Sequence, residues 1–94
     1  MIIGTCRLEL ALPKNGTLKG KRRVVKSIID RVRKRYNVAV AEVDCQDRHD
    51  LVVLGIACVT NEQRHASQLL AAVVSWIDRN AEGYLIDYYT EVLH

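Results

Sequence analysis

The apolar residues of this 94-residue chain switch between two spacings in a fixed order, and that order leaves few ways to fold. Ile2 to Leu12 alternate, with Cys6, Leu8, Leu10 and Leu12 on one side and Thr5, Arg7, Glu9 and Ala11 on the other. Period two predicts a half-buried strand. The only proline opens Pro13-Lys14-Asn15-Gly16, which stops it. From Leu18 the apolar positions Leu18, Val25, Ile28, Ile29, Val32 and Tyr36 move in steps of three and four, the signature of a helix of about 18 residues. Thr17 can cap its start and Asn37 can stop it in a left-handed conformation.

Val38 to Asp44 is valine-rich and reads as a second strand, followed by a polar loop from Cys45 to Asp50. Leu51 to Thr60 is almost wholly apolar, as in a central strand. Thr60-Asn61-Glu62-Gln63 matches a capping box, so the next helix is expected to begin at Asn61 or Glu62. Its stripe is Ala66, Leu69, Leu70, Val73, Trp76 and Ile77; Asn80 to Gly83 ends it, and Tyr84 to Leu93 alternates again. The order is β-α-β-β-α-β. With right-handed crossovers, both helices fall on one face of a four-stranded antiparallel sheet. This is an α+β fold, the ferredoxin-like plait, in a single domain spanning residues 1–94.

Charge is distributed unevenly over this frame. Ten of the fourteen Lys and Arg residues lie between Lys14 and Arg35, with Asp30 the only acid among them, so this stretch carries +9 and the remainder −6. Lys19, Arg22, Lys26 and Arg33 form a stripe beside the apolar one, with Arg23 and Lys34 further round, a cationic ridge about 27 Å long. Helices that are merely solvated carry many i,i+4 pairs of opposite charge; this one has a single acid, Asp30, to offer. Such asymmetry points to a polyanionic partner.

Three stretches resemble a known family. Thr17-Leu18-Lys19-Gly20-Lys21-Arg22-Arg23-Val24-Val25-Lys26-Ser27 is similar to the SLKxKRxVVKS opening of the bacterial YlxP-like proteins. Asn37 to Asp44 resembles their NVSVAEVD strand, and Leu54 to Asn61 their third strand and the entry to the second helix. The resemblance implies a small cytoplasmic protein with the ferredoxin-like plait. It implies no catalytic residues, and a gene setting close to translation-initiation and ribosome-maturation genes. Gly20 departs from the pattern by replacing an acid, which predicts a frayed first turn. Cys45 stands where histidine is common, and Arg48-His49-Asp50 replaces an apolar stretch.

The expected function is therefore a non-catalytic accessory protein that docks on structured RNA or a ribosomal subunit. The phosphate-binding residues are expected to be Lys14, Lys19, Lys21, Arg22, Arg23, Lys26 and Arg33. The alternative is an assembly module, a homodimer formed through the open sheet face, with Val38, Val40, Ile56, Tyr88 and Val92 as its apolar patch. Glu42 and Asp44 are expected to pair with basic residues within the fold or across an interface. Asp47 lies beside them, and Cys45, Asp47 and His49 alternate in a way that weakly suggests zinc; no metal or other cofactor is expected. Tyr84, Tyr88 and Tyr89 fit a core or dimer role better than base stacking, because the central strand carries no aromatics. Trp76 reads as packing, and Cys6 and Cys58 as small core residues. No nucleophile elbow, phosphate loop or dinucleotide fingerprint is present, so no enzyme is expected. No apolar run reaches the roughly 20 residues of a membrane span. Three widely spaced cysteines and the lack of a signal-like N-terminus fit a reduced, cytoplasmic setting.

Overall fold

The computed structural model describes all 94 residues. The elements are β1 (Ile2–Ala11), α1 (Leu18–Arg35), β2 (Ala39–Asp44), β3 (Leu51–Thr60), α2 (Gln63–Asn80) and β4 (Tyr84–Leu93). The sheet order is β2-β3-β1-β4 with every neighbouring pair antiparallel. Helix α1 packs over β2 and α2 packs over β1, β3 and β4, which leaves the opposite sheet face uncovered.

Register explains the core. Cys6, Leu8 and Leu10 stand opposite Ile56, Leu54 and Val52, and all six are buried beneath the helices. Ile28 and Val32 from α1 and Leu70, Val73 and Ile77 from α2 close the layer. Burial pushes the Cys6 thiol up from its ordinary value, against a smaller lowering by a hydrogen bond with the Tyr89 backbone.

Three local expectations are corrected. Asn37 is not left-handed: α1 ends at an extended Tyr36 (φ −133°), and the one non-glycine residue with positive φ is Cys45, at 54°. The Thr60 capping box does not form. Thr60 Oγ1 instead accepts from the Glu62 N–H at 3.0 Å, a local turn that moves the first helical residue to Gln63. The Thr17 cap expected from sequence is present, its Oγ1 accepting from the Gly20 N–H at 3.0 Å, and no acid stands in the first turn to complete a capping box. The absent side chain at Gly20 also leaves room for Asn15 Oδ1, which a Cβ there would strike.

The third correction concerns the apolar patch expected on the open face. Val40 and Ile56 are cross-strand partners buried in the core, and Val38 and Val92 pack against it. Tyr88 stands opposite Leu8 and so lies on the helix side of the sheet. Parity places Arg7, Glu9 and Ala57 on the uncovered face instead, with Tyr89 opposite Arg7.

Gly83 fixes the entry to β4. Its φ of +88° suits glycine, and a Cβ there would run into the Ala11 carbonyl oxygen and approach Leu12 Cδ2 at 2.7 Å. Gly83→Ala should therefore cost about 2 kcal/mol or more in urea unfolding. Gly16→Ala, where no atom lies within 4 Å, should leave stability unchanged or raise it by less than about 1 kcal/mol.

Candidate nucleic-acid interface

Helix α1 has three faces. Leu18, Val25, Ile28 and Val32 repeat at intervals that keep them on the sheet side, and Lys21 falls in phase with them, three residues after Leu18 and four before Val25. Accordingly Lys21 is 1% exposed. Its Nζ donates to the Cys45 carbonyl oxygen at 2.6 Å and lies 2.8 Å from Glu42 Oε2. Glu42 follows Val40 by two residues and so shares its inward face on β2. Glu42 Oε2 is buried and accepts no well-aligned hydrogen bond, so the close charge contact with Lys21 is what balances it. The assignment of Lys21 to a phosphate-binding surface is thus corrected: its ammonium is taken out of solvent by a carboxylate and a carbonyl.

Cys45 is the hinge of this contact. Its N–H donates to Asp44 Oδ1 at 2.7 Å, and its carbonyl also accepts from the Arg48 N–H at 3.0 Å. The turn that follows is pinned twice more. Arg48 forms a two-pronged pair with Asp50 at 3.1 Å on both arms, which holds the Asp50 carboxyl below the usual carboxylate range. Asn15 Nδ2 donates to the His49 carbonyl at 2.6 Å, and the His49 ring nitrogen Nδ1 lies 2.8 Å from the Asn15 carbonyl. The β1–α1 and β2–β3 loops are thereby stapled together. Cys45, Asp47 and His49 do not converge into a metal-binding group.

Other cations of α1 are also committed to the fold. Arg33 Nη2 donates to the Val40 carbonyl at 3.2 Å, so this member of the expected ridge is drawn toward β2. Arg31 and Arg35, one turn apart, lie over the Trp76 ring of α2 at 4.9 and 5.3 Å from its centroid. Each such contact contributes roughly 0.5–1 kcal/mol. They clamp α1 to α2, and Trp76 is itself buried, as its phase on α2 predicts.

The remaining cations stand free. Lys19, Arg22, Arg23 and Lys26 are exposed on the outer face of α1, Lys34 lies further along it, and none makes a salt bridge or a side-chain hydrogen bond. Lys14 is exposed in the loop before α1 and, with Arg23, Ser27 and Glu82, lines a groove of about 600 Å³ beside that helix. Five of the seven residues expected from sequence therefore share one accessible surface. Lys34 extends it, while Lys21 and Arg33 serve the fold.

The comparisons agree with this architecture. Residues 3–90 match a family described as "Protein of unknown function (DUF503)". The chain is 34% identical over 77 residues to a protein of Bacillus subtilis strain 168 described as "Uncharacterized protein YlxP", covering 82% of this chain and 84% of that protein. Among solved structures it is similar to a de novo designed protein with a ferredoxin fold, LFR1 1 (TM-score 0.54, 15% identity, 99% of this chain and 83% of the other). It is also similar to the designed protein Foldit4 (TM-score 0.51, 14% identity, 99% and 96%). At these identities the two designs show the fold alone.

Breaking the buried pair from one side should be costly. Lys21→Ala leaves Glu42 without a counter-charge and should lower unfolding free energy by about 3–5 kcal/mol. The double change Lys21→Met with Glu42→Leu, which removes both charges and retains bulk, should recover most of that loss in the same urea titration.

Proposed function

We propose that this chain, which belongs to the DUF503 family and is similar to YlxP, is a non-catalytic accessory protein that docks on structured RNA of the translation apparatus through the outer face of α1. The carrying observation is that Lys14, Lys19, Arg22, Arg23, Lys26 and Lys34 are exposed together and form no salt bridge, with Asp30 the only acid on α1. Mutual repulsion among these charges weakens the free protein slightly and is relieved when phosphates approach. A rigid helix presents them at fixed spacing, so phosphates set orientation and register while RNA shape supplies selectivity. No helix is long and apolar enough to cross a membrane. A cytoplasmic site of action suits an RNA partner and unpaired thiols.

Fluorescence anisotropy against structured ribosomal RNA at several salt concentrations tests this reading. With about five phosphates neutralised, affinity should fall on the order of 10²–10³-fold between roughly 50 and 200 mM salt. Changing Arg22, Arg23 and Lys26 to Gln should weaken binding to every RNA sequence similarly and reduce the salt slope by about 3. Weak binding that the triple variant leaves unchanged would overturn the proposal.

A further inference from the structure

The two edges of the sheet are treated differently by the sequence. Strand β2 is short (six residues), carries a register shift between Glu42 and Asp44, and has its Val40 carbonyl occupied by the Arg33 guanidinium. Those features are how proteins blunt an edge against pairing. Strand β4, at the other edge, runs for ten residues with neither proline nor a basic residue. Its register shifts near Ile86, but from Asp87 to Leu93 it pairs regularly with β1. One edge amide, that of Tyr88, is turned onto the Asp87 carboxylate at 2.8 Å. Beyond it, an edge strand of this length presents alternate N–H and C=O groups of the Thr90–Val92 region to solvent.

The charges on β4 itself, Asp87 and Glu91, have one sign. Asp87 and Glu91 stand opposite Glu9 and Thr5 on the uncovered face, where Arg7 is already held by Glu9 at 2.7 Å and Asp44 at 3.4 Å. A second copy pairing β4 against β4 would gather two Asp87 and two Glu91 carboxylates on one face with no base on either strand, and like charges across a strand pair are destabilising. An extended segment bearing Lys or Arg on alternate residues meets the same surface with opposite charge. We propose that the β4 edge captures a basic, extended segment of a partner protein by strand addition. Main-chain bonds supply affinity, and Asp87 and Glu91 select its sign. Because this edge is formed by a different element from the outer face of α1, the protein would join an RNA to a basic protein.

A fluorescent eight-residue peptide alternating lysine and valine is the probe, with anisotropy for affinity and amide spectra of the ¹⁵N-labelled full chain for location. Expected are shifts and slowed amide exchange along Tyr88–Leu93, and loss of binding when alternate peptide nitrogens are methylated. Asp87→Asn with Glu91→Gln should weaken binding roughly fivefold, whereas Arg22→Gln with Lys26→Gln should leave it unaltered. An acidic glutamate–valine peptide should not bind. Equal binding of the methylated peptide, no response to the Asp87 and Glu91 changes, or a peptide-free dimer whose β4 amides are already protected would each overturn the proposal. None of these outcomes bears on RNA affinity, which is read separately.

Discussion

The ion pair between Lys21 and Glu42 anchors the rest of the structure. It joins the first turns of α1 to the end of β2, and through the Cys45 carbonyl it reaches the β2–β3 turn as well. A buried charge is costly unless it is paired and hydrogen-bonded. The positive φ at Cys45 is part of the solution, since that conformation accompanies a carbonyl shared by Lys21 Nζ and the Arg48 N–H. The Asn15–His49 staple beside it ties the loop before α1 to the same turn. The helix that carries the free cations is therefore fixed at its N-terminal end by a cation turned inward.

The positive charge of α1 thus divides into two populations by phase. Lys21, Arg31, Arg33 and Arg35 point toward the sheet or α2 and hold the helix in place. Lys19, Arg22, Arg23, Lys26 and Lys34 point away and form no salt bridge, with Asp30 the one acid among them. Rigidity and availability are linked by this division, because a helix docked by its inner cations presents its outer ones without further ordering cost. The uncovered sheet face carries Asp87 and Glu91 beside the open β4 edge, so the two proposed partners would meet different surfaces.

Element order and type were legible in the sequence because strand and helix periods are each carried by several residues. The alternation of Cys6, Leu8 and Leu10 identifies the buried face of β1, which the register with β3 bears out. Side-chain fates that depend on one residue were harder to read. Lys21 looked like a ridge residue by charge, although its spacing from Leu18, Val25 and Ile28 placed it on the inner stripe. Glu42, in step with Val40 on β2, carried the matching signal, and two opposite charges in apolar phases would have disclosed the pair. Apolar character alone does not say which side of the sheet a helix covers, so Val38, Val40 and Ile56 read as an open-face patch until pairing places them in or against the core. Arg31 and Arg35 over Trp76, and Asn15 on His49, join residues far apart in sequence and left no local trace.

The division of the α1 cations is tested most directly by reductive ¹³C-methylation of the lysines, followed by NMR with and without structured ribosomal RNA. Lys14, Lys19, Lys26 and Lys34 should be modified readily and their methyl resonances should shift on RNA addition. Lys21 should resist modification in the folded protein, as its 1% exposure requires. Modification of Lys21 at the rate of the others, or RNA binding that shifts none of the four exposed lysines, would contradict the account.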